Sequence, residues 1–397
     1  RIGIDNNLSL EGKRKEIQKS KYGVSENRSK LLPQINAIAG YNNNFDPPVS
    51  VTDGSSYGVP YNITKTLQHS ANAGLEMQMP LFNQTLYTSM SIAKVMEEIS
   101  RLSYGKARED VILQISKMYY LGQVTAEQIM LIKANIIRLE ELRDITQAFF
   151  DNGMSMEVDL KRVNINLENL KVQYDNAQAM MKQQLNMLKY IMDYPAEKEI
   201  ALTPVNTDSI TTVALTGLSE NIYELQLSQS QVQLAERQKK IITNGYIPSL
   251  SLTGSWRYAA YTDKGYHWFH SGPSNQWFRS YGVGLTLRIP IFDGLDKTYK
   301  IKKAMIDIEN KRLAWEDARK NLQTQYLNAV NDLMNNQRNF KKQKDNYLLA
   351  EDVYAVTSDR YREGIASMTE VLQDEMQMSE AQNNYISAHY NYRVTNL

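Results

Sequence analysis

The sequence predicts a mixed, mostly helical fold: two copies of one unit, each giving a strand pair and long antiparallel coiled-coil helices. The first observation is a doubled phrase, Met79-Pro80-Leu81-Phe82-Asn83 and Ile289-Pro290-Ile291-Phe292-Asp293, each closing an alternating segment and opening a charged helical pattern. The second is spacing, because Pro33 to Pro248 is 215 positions, Pro80 to Pro290 is 210 and Gly153 to Gly364 is 211. A unit of that size is too long for a solenoid repeat. The third is that no proline interrupts Asn83 to Phe150, where apolar residues recur at steps of three and four. Each copy reads helix, strand, strand, helix, helix, which divides the chain into repeats at 1–196 and 197–397.

Four segments alternate with period two, at about 33–45, 70–82, 248–261 and 279–291. In the second, Ala71, Ala73, Leu75, Met77, Met79 and Leu81 oppose Asn72, Glu76 and Gln78; in the fourth, Tyr281, Val283, Leu285, Leu287, Ile289 and Ile291 oppose Ser280, Thr286 and Arg288. A soluble sheet with one wet face would give the same alternation. Two features favour a membrane instead. The connections at 43–69 and 262–279 are long and rich in Gly, Pro, Asn and Ser, and the strand ends carry Tyr41, Trp256, Tyr258, Trp268, Trp277 and Tyr281. Aromatic residues at strand ends, with long loops on one side, mark the interfaces of a transmembrane barrel. Four strands cannot close, since the smallest spanning barrels have about eight and an open edge in lipid leaves backbone groups unsatisfied. The chain is therefore expected to oligomerise.

A helix from Asn83 to Phe150 would run on the order of 100 Å, with Gly122 as the place for a break. The pattern resumes after Gly153 with Leu160, Val163, Leu167 and Leu170, and the second copy ends with Val371, Asp374, Met378, Ala381, Tyr385, Ala388 and Tyr392. One position in that last seam is an aspartate. The remaining faces, dense in Asn, Gln, Lys and Glu, suit the outside of a bundle or the lining of a hollow.

Composition removes several function classes. With 45 basic and 44 acidic side chains among 397 residues, the net charge of +1 gives no electrostatic case for nucleic acid, whose phosphates demand a basic stripe. The lack of cysteine removes disulfides, thiolate zinc sites and thiol nucleophiles. No stretch approaches the ~20 apolar residues of a membrane-spanning helix. No signal peptide is legible and Arg1 opens inside a helical pattern, as in a processed chain. His267 and His270 form an H-x-x-H pair without an acid or third ligand nearby, which favours an aromatic loop over zinc. Gly282-Val283-Gly284 lies within a strand, not in a nucleotide loop. No catalytic constellation, cofactor site or metal site emerges.

The chain resembles the TolC-like outer-membrane efflux proteins of Gram-negative bacteria. The resemblance rests on the two Pro-Leu/Ile-Phe-Asn/Asp junctions, on Leu32-Pro33-Gln34-Ile35 and Ile247-Pro248-Ser249-Leu250, and on the turn phrases Phe150-Asp151-Asn152-Gly153 and Tyr361-Arg362-Glu363-Gly364. An acid and an aliphatic follow each turn, as Asp159-Leu160 and Glu370-Val371. The likeness implies a homotrimer in the outer membrane with a large periplasmic portion. Each chain would give four strands to a twelve-stranded β-barrel and its helices to a hollow α-barrel, with the 195–216 linker in the belt around it. The partners implied are a periplasmic adaptor, an inner-membrane pump acting through it, and outer-membrane lipid.

The same resemblance assigns a periplasmic gate to Asp159, Tyr361, Glu370, Gln373 and Asp374, and adaptor-docking tips to Gly153, Met154, Gly364 and Ile365. Gln373 falls where the family has a second acid, with Asp374 as its substitute. Ala366 falls where the family has an arginine, with Arg360 or Arg362 as the replacement. The function implied is an exit duct for small molecules; the alternatives are an outlet for type I protein secretion and a non-channel periplasmic coiled-coil protein. The four amphipathic strands argue against the last.

Overall fold

A computed structural model describes residues 2–53, 55–203, 217, 219, 221–263 and 277–397. His267, Trp268, His270 and the 204–216 part of the linker lie outside the described residues. The elements are α1 (Ile2–Asn6), α2 (Leu8–Ser29), β1 (Gln34–Asn43), β2 (Val49–Asp53), β3 (Tyr61–Lys65), β4 (His69–Phe82), α3 (Gln84–Asp151), α4 (Glu157–Ile191), α5 (Tyr223–Asn244), β5 (Ser249–Thr262), β6 (Trp277–Arg288), α6 (Asp296–Arg362) and α7 (Met368–Thr395). They form two compact units, one of residues 1–16, 101–228 and 314–397, the other of residues 17–100 and 229–313, and each unit draws on both halves of the sequence.

The second unit holds the β-structure. Four strands form an antiparallel sheet in the order β1-β4-β5-β6. The register sets apolar residues opposite one another, Ile35 against Met77 and Leu252 against Leu285, while Asn36 meets Glu76 and Ser251 meets Thr286 on the other face. The ladder between β4 and β5 shifts between Pro80 and Phe82, where proline supplies no N–H. β6 ends at Arg288, short of the expected 291, because Pro290 cannot donate to a ladder. The 43–69 segment, read from sequence as a loop, contains the β2–β3 hairpin, with Val51 opposite Ile63. Beside the sheet, α2 meets α3 through the Ser20 and Ser100 hydroxyls at 2.7 Å, and Asn244 of α5 donates to Thr88 of α3 at 2.6 Å.

The first unit is helical. Its core gathers Leu139 and Leu142 of α3, Val163, Leu167 and Leu170 of α4, Tyr354 and Tyr361 of α6, and Val371 and Met378 of α7. Val163, Leu167, Leu170, Val371 and Met378 are seam residues that the three-and-four spacing picks out, and burying each large aliphatic contributes roughly 1.5–3 kcal/mol. α3 continues unbroken through Gly122. A Cβ there would lie 2.8 Å from Leu202 Cδ1, so the position marks a close approach and not a break.

Candidate functional site: the helix turns and the two-faced sheet

Both long helices of the first unit end in the same way. Gly153 and Gly364 have φ of +74°, the left-handed conformation that a side chain disfavours. At the first turn Gly153 N donates to Phe150 O and Met154 N to Phe149 O; at the second Gly364 N donates to Tyr361 O and Ile365 N to Arg360 O. These are Schellman closures, whose residue after the glycine ordinarily packs back on its helix. Here Met154 is 70% exposed and Ile365 63% exposed. Each turn therefore presents a bare apolar side chain.

The helices that leave the turns differ. Ser367 caps α7 in a reciprocal box, accepting from Glu370 N at 3.3 Å while its own N–H donates to the Glu370 carboxylate at 3.2 Å. Glu370 is exposed but engaged by its own backbone. α4 starts at Met156 without a side-chain cap, and its first turn carries Glu157 and Asp159 close to the helix N-terminus. A negative charge is favoured there. Asp159 sits 3.4 Å from Arg162, and the same guanidinium reaches Thr369 of α7 at 3.4 Å.

The remaining residues expected at a gate lie on two helices. The Asp374 carboxylate is half-buried and accepts from Thr357 of α6 at 2.6 Å. Tyr361 is buried, donates to Thr146 of α3 at 3.4 Å and packs on Phe149 with ring centres 5.6 Å apart. Gln373 is exposed. Arg362 pairs with Asp359 at 3.4 Å and with Glu141 at 3.5 Å, so its charge serves the α6–α3 contact and not an acid of α7.

Sequence reasoning missed the polar residues that lie deeper. On α7, Met368, Glu375, Gln382 and His389 recur every seventh residue, and all four are buried. The last three face α3. Gln382 and Asn135 exchange hydrogen bonds at 2.6 and 3.3 Å, and His389 meets Glu127 at 2.8 Å. Burial pushes the Glu375 carboxyl up, with Arg138 partly opposing. Glu127 is also disfavoured by burial, but hydrogen bonds from His389 and Tyr385 bring it below the usual carboxylate range. The signal was present as a strict heptad of polar residues.

In the sheet, Tyr41, Ala71, Ala260 and Trp277 share one transverse row, and Leu75, Trp256 and Tyr281 share another two rows along the same face, with Tyr258 in the row between. Although Tyr261 and Phe278 lie on the other face at the same end, Tyr41, Trp256, Tyr258, Trp277 and Tyr281 thus form a band on one face at the loop end. Toward the helix end, that face continues as Ile35, Met77, Val283, Leu252, Leu285, Leu250 and Leu287. The opposite face carries Asn36, Gln78, Thr253, Ser255 and an ion pair of Glu76 with Arg257. An aliphatic band edged by aromatics, backed by a polar face, is the pattern of a strand set with lipid on one side and water on the other.

A two-faced sheet of this kind, joined to long coiled-coil helices, fits the class of membrane-embedded β-barrel proteins. The chain belongs to the outer membrane efflux protein family, whose profile matches residues 4–192 and 214–397. It is similar to the outer membrane protein TolC of Vibrio cholerae, 21% identical over 385 residues that cover 93% of this chain and 81% of the relative. The probable efflux pump outer membrane protein TtgC of Pseudomonas putida is 23% identical over 357 residues, 85% of this chain and 70% of the relative. Among solved structures, the MtrE outer membrane channel of Neisseria gonorrhoeae superposes with a TM-score of 0.78 at 17% identity over 99% of this chain and 85% of that one. VceC of Vibrio cholerae gives 0.74 at 14% identity over 100% and 92%. The protein is thus an exit duct in the outer membrane.

Proposed function

We propose that three copies of this chain close into one duct that releases small molecules handed over by an inner-membrane pump through a periplasmic adaptor. The observation that carries this reading is the sheet order. Among the described residues β1 pairs only with β4 and β6 only with β5, so both outer edges of a four-stranded sheet lack partners. In lipid those edges must be satisfied, and joining β6 of one copy to β1 of the next does so with twelve strands, above the ~8 of the smallest spanning barrels.

The helices support the same assembly. α4 buries one stripe within the chain and exposes a second at Val158, Ile165, Val172, Met180 and Met187; α6 exposes Ile306, Leu313, Leu327, Met334 and Leu348. On α4 the spacings are seven, with eight once, and on α6 seven or fourteen, with Lys320 and Lys341 at the skipped positions, so each stripe keeps a coiled-coil spacing. A neighbouring copy supplies the mates. In this reading residues 1–196 and 197–397 are two repeats with equivalent turns at Gly153 and Gly364. Those turns dock the adaptor through Met154 and Ile365, while Asp159, Glu370 and Asp374 form rings around the threefold axis, with Tyr361 holding the helices together. The names of two relatives, a probable efflux pump and an antibiotic efflux pump outer membrane protein, favour small molecules as cargo.

The test is the mass of the detergent-solubilised protein by light scattering, corrected for bound detergent. Three chains per particle are expected. A monodisperse monomer in buffer without detergent would rule the assembly out.

A further inference from the structure

The register places Arg279 of β6 in one row with Tyr258, Ala73 and Ala39, on the face that carries the aliphatic band. No other Arg, and no Lys, Asp or Glu, of the four strands lies on that face. Arg288, the second base of β6, lies on the polar face with Thr286. Arg279 is exposed and has no ion-pair or hydrogen-bond partner among the described residues.

Closing the barrel does not supply one. The joint proposed above sets β1 of the next copy against β6, and β1 contains no charged residue. The first acid beyond β1, Asp46, lies 3.8 Å from Lys65.

Depth decides what a bare cation can meet. Leu287, at the helix end of the band, is eight positions from Arg279, which at ~3.3 Å per residue and a strand tilt of about 40° is roughly 20 Å across the membrane. The apolar band of a spanning barrel is ~25 Å tall. The guanidinium thus lies at the far edge of the hydrocarbon, where a cation is tolerated, and not at the midplane, where it is costly. Long loops mark that edge as the outer one.

The surroundings suit a lipid headgroup. Trp277 and Tyr281 stand two residues to either side of Arg279 on the same face, and Tyr258 is its partner across the ladder, with Trp256 edge-on to Tyr258 at 5.4 Å. The Tyr258 and Tyr281 hydroxyls have no partner among the described residues. Rings of this kind sit with an apolar body in lipid and a polar tip at the headgroups. A guanidinium takes phosphate oxygens in pairs. In the outer leaflet of a Gram-negative outer membrane, the phosphates at this depth are those on the glucosamines of lipopolysaccharide.

We propose that Arg279, with the hydroxyls of Tyr258 and Tyr281, binds a lipid A phosphate of lipopolysaccharide on the outer wall of the barrel. This adds a lipid ligand to the duct reading. One copy's sheet carries the site, so it stands or falls apart from the cargo and the adaptor.

The test is binding of lipid A to the delipidated, detergent-solubilised full chain, counted by native mass spectrometry, against lipid A stripped of its phosphates and against phosphatidylglycerol. The wild type should bind the phosphorylated form about tenfold or more tightly than the stripped one, the weight of hydrogen bonds to a charged group. Arg279→Gln should erase that preference, Arg279→Lys should keep part of it, and Arg288→Gln, on the other face of the same strand, should leave it intact. Comparing the two lipid A forms on the wild type needs no variant, so it decides the matter even where Arg279→Gln fails to assemble. Equal binding of the two forms, an undiminished preference in Arg279→Gln, or an equal loss in Arg288→Gln overturns the site. Phosphatidylglycerol bound as tightly as lipid A would show a general anion contact and overturn the assignment to lipopolysaccharide.

Discussion

The Thr357 hydroxyl of α6 donates to the Asp374 carboxylate of α7 at 2.6 Å, so an acid proposed for the constriction is oriented by the neighbouring helix. Carboxylates gathered in a narrow ring attract cations and resist ionising together. Asp374→Asn combined with Glu370→Gln should weaken cation selectivity and divalent-cation block in planar bilayers. Thr357→Ala should act in the same direction more weakly and cost about 1.5–3 kcal/mol of local stability, the range for a hydrogen bond to a charged group. Unchanged selectivity and block in the double variant would place the constriction at other residues.

Tyr361 joins α6 to α3 through a long hydrogen bond to Thr146 and through its ring on Phe149. Tyr361→Phe keeps the ring and deletes the hydroxyl. The expected cost is small, about 0.5 kcal/mol, because a 3.4 Å bond lies at the weak end of the range. Single-channel conductance should rise if that tie restrains the opening. Equal conductance in Tyr361→Phe and the wild type would show that the hydroxyl plays no part.

Much of the fold was legible because it repeats a period. The strands alternate, the helices step by three and four, and the two glycines recur at one spacing. What escaped was polar residues following an apolar rule. Glu375, Gln382 and His389 read individually as a solvated face, since periodicity analysis follows hydrophobic stripes, yet they keep a strict interval of seven and face Arg138, Asn135 and Glu127. The seam position given to Asp374 illustrates the same limit: Asp374 is half-buried, while the adjacent Glu375 is 5% exposed. The β2–β3 hairpin was hidden for a different reason. Pro47, Pro48, Gly58 and Pro60 drew attention to the turns, although Val49 and Val51, and Tyr61 and Ile63, alternate with polar residues.

Glu375 yields a prediction with a definite sign. Burial raises its carboxyl above the ordinary value, so its contribution to stability is fully present below the usual carboxyl range and is lost as the pH rises through the raised value. Glu375→Gln removes the charge without changing shape. At pH 7.5 the variant should be more stable by about 1 kcal/mol, the scale of one unsatisfied buried group, and the difference should shrink toward pH 4. Thermal unfolding at the two pH values checks it. A variant less stable than the wild type at pH 7.5 would mean that Arg138 holds Glu375 as an ion pair.

The turns at Gly153 and Gly364 allow the docking role to be separated from the fold. Both glycines occupy left-handed conformations, and no heavy atom lies within 4 Å of where a Cβ would stand, so alanine there meets backbone strain and no clash. Gly153→Ala or Gly364→Ala should cost about 1–2 kcal/mol, the penalty of a side chain in that conformation. Met154 and Ile365 lie one residue further on and point into solvent, so polar replacements should leave folding intact. If these side chains seat the adaptor, Met154→Ser with Ile365→Ser should assemble and insert normally yet lose drug export in cells, and a photocrosslinker at either position should capture the adaptor. Loss of export with crosslinking only near the strand ends would move the docking surface away from the turns.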